Sequence, residues 1–74
     1  MEEEFKTMRI SIGRIIGETR KSKGISQEEL AHRAEIDRTY ISQIERGIGN
    51  PSLFIVFRVA QSLDLALAKL FQHY

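Results

Sequence analysis

The sequence predicts an all-α fold of five helices, and three observations predict it. Apolar residues recur at three- and four-residue spacing along most of the chain, the period of a helix with one buried face. Serine and aspartate residues stand where such segments begin, and glycines stand where they end. No alternating, strand-like pattern appears anywhere in the 74 residues. A chain of this length makes one domain, near the size at which a single core gives marginal stability. It divides into an acidic N-terminal extension (1–8), a pair of short helices (26–47) and a C-terminal apolar pair (52–74).

The first helix is expected from Phe5 or Arg9 to Lys23, with Gly24 as a left-handed stop. Ile12, Ile16 and Thr19 form its inward stripe, and Met8 extends it backwards. Gly13 and Gly17 each weaken a helix by roughly 1 kcal/mol relative to Ala, so a second helix is expected to pass close to one or both. The second helix, Gln27 to Ala34, opens with the capping box Ser26-Gln27-Glu28-Glu29. There the Ser26 hydroxyl can accept from the Glu29 N–H while the Glu29 carboxylate reaches back. The third, Arg38 to Arg46, starts at Asp37, a carboxylate suited to the positive helix end, and closes at Gly47. Leu30, Ala31 and Ala34 face inward on the second helix, as do Ile41, Ile44 and Glu45 on the third. Arg38, Thr39, Ser42, Gln43 and Arg46 then point outward, and such a face can hydrogen-bond base edges in a DNA major groove.

Ile48-Gly49-Asn50-Pro51 forms a loop, and Ser52 caps a fourth helix, Leu53 to Leu63. Leu53, Phe54, Ile55, Val56, Phe57, Val59, Ala60 and Leu63 cover almost its whole circumference. A helix apolar all round is buried on more than one side, and a domain this small covers only one. A homodimer interface is therefore expected, with Phe54, Ile55 and Phe57 joined by Leu65, Phe71 and Tyr74. The other reading is ordinary surface apolarity, which is common. A short fifth helix, Ala66 to Phe71, follows a break near Asp64.

The net charge of +1 says little about partners, but its distribution says more. Residues 1–8 carry −2, residues 9–58 carry +3, and residues 59–74 are neutral. The basic excess thus lies in the segment with the paired helices, as phosphate contact requires, though it is modest. There is no cysteine, hence no disulfide or thiolate metal site, and His32 and His73 lack ligand-like spacing. The acidic start is unlike a signal peptide and no stretch approaches a membrane span, so a cytoplasmic protein is expected. No cofactor, metal or small-molecule substrate is expected. Without paired carboxylates on a rigid scaffold or a glycine-rich phosphate loop, neither is an enzyme.

Residues 12–71, about four-fifths of the chain, resemble the helix-turn-helix domain of the Cro/phage-repressor (XRE) family, whose fold is that of the lambda-repressor-like DNA-binding domains. The run DRTYISQIERGIGNPSL resembles in particular the small controller proteins of restriction–modification systems. The resemblance implies base contacts from Arg38, Thr39, Ser42 and Gln43. It also implies that Gln27 clamps a phosphate, and Tyr40 either reaches a phosphate or only packs. Arg46 and Asn50, flanking the following loop, are further phosphate candidates. It implies, too, a largely buried ion pair between Arg20 and Glu45. Three residues depart from the family pattern. Glu35 stands where glycine is preferred in the turn, Gly49 where a basic residue is common, and Ala66 where serine or proline often starts the last helix. The first implies mild strain or a different turn, the second a lost phosphate contact, the third a fraying helix.

The function expected is a homodimeric regulator reading a pseudo-palindromic operator in double-stranded DNA, repressing or activating by blocking or touching RNA polymerase. For a controller protein the targets are its own promoter and that of the restriction enzyme. The alternative is a repressor of antitoxin or phage type that also binds a protein partner.

Overall fold

Side-chain caps start three of the helices. A computed structural model describes residues 1–71 and holds among them five α-helices and no strand. These are α1 (Glu2–Ser22), α2 (Gln27–Ala34), α3 (Arg38–Glu45), α4 (Leu53–Ser62) and α5 (Leu67–Leu70). The Ser26 hydroxyl accepts from the Glu29 N–H at 3.0 Å, the Asp37 carboxylate from the Thr39 N–H at 2.7 Å, and the Ser52 hydroxyl from the Ile55 N–H at 3.1 Å. Each satisfies a backbone donor that the first turn would otherwise leave open. The reciprocal arm expected of Glu29 is not made. Its carboxylate turns instead to Arg33, one turn on, at 2.8 Å.

Two helices differ in extent from the sequence expectation. α1 begins at Glu2, so residues 2–8 form its first turns rather than a separate extension. Three glutamates in that first turn favour the helix there through its dipole. α5 shrinks to one turn, and Ala66 at its N-cap makes no side-chain hydrogen bond. α1 ends as expected, with Gly24 in the left-handed region at φ +69°.

The core lies where all five helices meet. Ile16, Leu30, Ile41, Val59, Leu63 and Leu70 are fully enclosed, and Ile12, Ile25, Ala31, Ala34, Ile44, Val56 and Ala60 complete it. α3 packs on α1 and α2, α4 on α2 and α5, and α5 back on α1. α1 crosses α3 at backbone contact. A Cβ on Gly13 would overlap the Ile44 carbonyl oxygen and lie 2.8 Å from that of Glu45. On Gly17 it would lie 3.3 Å from the Glu45 carboxylate. Both glycines thus serve the close passage that their spacing implies. No helix among the described residues is long and apolar enough to cross a membrane.

Candidate nucleic-acid interface

The α2–turn–α3 unit is fixed from behind by one carboxylate. Arg20 on α1 donates from Nε to Glu45 Oε2 at 2.7 Å and from Nη2 to Oε1 at 3.0 Å. Its Nη1 donates to the Ile25 carbonyl at 2.8 Å. Gln27, first in α2, donates from Nε2 to the same Glu45 Oε1 at 3.0 Å. Both charged side chains are about nine-tenths buried, and paired, bidentate geometry is what makes such burial tolerable. Burial pushes the Glu45 carboxyl up, but the hydrogen bonds from Arg20 and Gln27, with the charges of Arg20 and Lys21, outweigh it. The net position is below the usual carboxylate value. The hydrogen bond to Glu45 raises Arg20 further, against its own desolvation.

The turn between α2 and α3 adopts the shape a glycine would favour without having one. Glu35 sits at φ 58° and ψ 44°, and the Arg58 guanidinium reaches its carbonyl at 3.3 Å and its carboxylate at 3.8 Å. A left-handed non-glycine residue carries strain, which is the mild strain expected at this position.

With Ile41 and Ile44 buried on one side of α3, the other side is turned outward. Arg38 and Thr39 are exposed at the N-terminal end, and Ser42 and Gln43 are half-buried one turn on. Tyr40 is half-buried and packs against the core. Arg46 is exposed, its Nε reaching back to the Ser42 carbonyl at 3.3 Å, and Asn50 is exposed in the following loop. Arg38, Thr39, Ser42 and Gln43 thus lie on one edge of one helix, with Arg46 and Asn50 beyond its C-terminal end. Gln27 is apart from them at the start of α2, its amide N–H engaged with Glu45.

Residues 16–70 match the family profile described as helix-turn-helix. The chain belongs to the helix-turn-helix family. Among its relatives is the transcriptional regulator SlrR of Bacillus subtilis, 43% identical over 61 residues, a match covering 81% of this chain and 40% of that protein. The chain therefore spans less than half of that relative's length. Among solved structures, the restriction–modification controller protein C.AhdI from Aeromonas hydrophila superimposes with a TM-score of 0.80 at 39% identity, over 84% of this chain and 94% of that one. The controller protein C.Esp1396I, solved as a tetramer with its natural 35 base-pair operator, gives a TM-score of 0.79 at 30% identity over 89% and 87% of the two chains. The five-helix fold is that of these helix-turn-helix regulators, and this chain is similar to the controller proteins among them.

A second surface of this helix-turn-helix domain lies on α4. Phe54 is 63% exposed and Phe57 43%, as the apolar circumference implied. Leu53, at 65%, joins them although the expected interface omitted it. Ile55, on the side of α4 turned toward the body of the domain, and Leu65 and Phe71, beyond the end of α4, are half-buried and pack partly against their own core. Tyr74, the remaining residue of the expected interface, lies outside the described residues. The sequence reading also missed Arg9, whose guanidinium crosses from α1 to the loop after α3. Its partner is a backbone carbonyl 40 positions away, a contact with no local signature.

Proposed function

We propose that the chain is a sequence-specific regulator of transcription that binds double-stranded DNA as a homodimer on a pseudo-palindromic operator. The observation that carries the reading is α3. Its inner face is anchored by Ile41, Ile44 and Glu45, while its N-terminal outer edge presents Arg38 and Thr39 without a structural duty for either side chain. Residues at that end of a recognition helix meet the base edges first. Arg38 suits guanine, with about 1–3 kcal/mol of discrimination for a bidentate pair, and Gln43 suits adenine. Thr39 offers a methyl group to thymine, and Ser42 a hydroxyl to a neighbouring base. Gln27, Arg46 and Asn50 hold phosphates and set the register. Tyr40 adds to this only if its hydroxyl reaches the backbone from its packed position.

The exposed Leu53, Phe54 and Phe57 support self-association. Each phenylalanine fully buried contributes about 1.5–3 kcal/mol, and the two-fold axis counts each twice. Two copies related in this way place their α3 helices in successive major grooves about 34–36 Å apart. Similarity to the controller proteins favours regulation of the chain's own promoter and of a restriction enzyme's, in the cytoplasm. Repression would come from blocking RNA polymerase and activation from touching it.

The test is a mobility-shift titration on the DNA upstream of the gene. The parent gives a discrete shifted complex that competitor DNA of unrelated sequence does not remove. Arg38→Ala abolishes that complex and leaves the dimer intact. A variant that retains full sequence preference overturns the assignment of α3.

A further inference from the structure

Three observations converge on Arg9, a residue that no DNA-facing element contains. Its Nη1 donates to the Gly49 carbonyl at 2.8 Å, joining α1 to the α3–α4 loop. Its guanidinium carbon lies 4.9 Å from the centroid of the Phe5 ring, which holds the side chain in place. Its Nε is buried with no hydrogen-bond partner among the described residues. Leaving such a group unpaired lowers stability, so a purely packing role would be better filled by an apolar side chain.

The loop at the far end of this arginine is shaped against the reading helix. Gly47 and Gly49 both hold positive φ, +72° and +80°. A Cβ on Gly47 would lie 2.7 Å from Ile10 Cα, so the loop backbone rests directly on α1. A Cβ on Gly49 would meet Gln43 Oε1 at 4.0 Å, and the Ile48 N–H donates to the Gln43 carbonyl at 3.0 Å. Asn50 follows immediately. The residue whose carbonyl Arg9 grips thus lies beside Gln43, the proposed base reader, and directly before Asn50, the proposed phosphate contact.

We propose that Arg9 is a positioning residue for DNA recognition: its bond to Gly49 fixes the α3–α4 loop so that Asn50 meets a phosphate and Gln43 keeps its orientation. This rests on the DNA-binding reading above. Glycine at position 49 makes the loop backbone pliable, and an N–H donor from a charged group is the stronger kind of tether.

The experiment is a double-mutant cycle on operator affinity, measured well below the melting temperature. Arg9→Met keeps an unbranched apolar side chain at this position and removes the tether. It should weaken binding by roughly ten-fold, the scale of one such contact. In an Asn50→Ala background the same change should weaken it by less than about three-fold, because residues acting through one another are non-additive. Arg9→Lys, which preserves charge but not the guanidinium fork, should recover part of the loss and serves alone if the Met variant does not fold. Parent-like affinity of the variants, or losses that simply add to those of Asn50→Ala, overturns the proposal. A parent protein that binds no duplex overturns instead the DNA-binding reading on which it stands.

Discussion

The crossing of α1 over α3 has almost no tolerance, and Gly13→Ala measures it. The added methyl would overlap the Ile44 carbonyl oxygen and sit 2.8 Å from the Glu45 carbonyl oxygen, where ordinary contact begins at 3.4 Å. Both obstacles are backbone atoms of α3, so no rotamer change relieves them. Overpacking costs about 1–3 kcal/mol, and two backbone clashes put this site near 3. Alanine returns roughly 1 kcal/mol through its higher helix propensity. The net loss is about 2 kcal/mol, which lowers the melting temperature of a domain this size by roughly 8–16 °C. Gly17→Ala should lose less, because the atom it meets at 3.3 Å is the Glu45 carboxylate, which can give way. Circular dichroism melts at fixed protein concentration read the difference, the concentration being held because association shifts apparent stability. If Gly13→Ala melts at or above the parent, the helices are not in backbone contact and the tight crossing is wrong.

Glu45→Ala leaves the Arg20 charge buried without its partner, a loss of about 3–5 kcal/mol, so the variant should be largely unfolded or melt far below the parent; an unchanged melt would show the ion pair to be dispensable. The same carboxylate gives the parent a pH signature. Its folded pKa lies below the unfolded one, so its contribution is complete above the ordinary carboxylate pKa, about 4.3, and disappears as pH falls through the lower folded value. Urea midpoints that do not drop more steeply in the parent than in Glu45→Gln over that acid range would contradict the assignment. Phe57→Glu should convert a dimer into a monomer in sedimentation equilibrium at micromolar concentration, with the helical signal preserved; a persistent dimer places the interface elsewhere. Glu35→Gly relieves a left-handed residue strained by about 1–2 kcal/mol against glycine's own entropic penalty of about 0.5–1. A small rise in the urea midpoint is expected, and a fall would mean that the exposed Arg58 contact outweighs the strain.

Local chemistry made the middle of this chain legible. Ser26 and Asp37 are cap residues with short-range partners, and Ile41, Ile44, Ala31 and Ala34 repeat within a single helix, so the bounds of α2 and the start of α3 could be read directly from the sequence. Gly13 and Gly17 announced a close passage because nothing else rewards glycine inside a helix. The ends were harder. Three glutamates extended α1 back to Glu2, since a favourable dipole sufficed where the apolar stripe was thin. Glu29 went to Arg33 because two carboxylate partners competed within one turn. On α4 the composition promised two buried faces without saying which residue served which. Ile55, and Leu65 just beyond the end of the helix, went partly inward, and Leu53 came out. Arg9 was invisible for a different reason: its acceptor is main-chain, and glycine at position 49 carries no mark of being gripped.

The division of labour on α3 has an evolutionary consequence. The side chains that hold this helix to the body are Ile41, Ile44 and Glu45, and the cap at its start comes from Asp37. Positions 38, 39, 42 and 43 take almost no part in that support. Under the proposed reading of this edge, substitutions there would retarget the protein to a new operator while its melting behaviour barely changed, so paralogues with divergent DNA addresses would arise from one chassis by a handful of point changes.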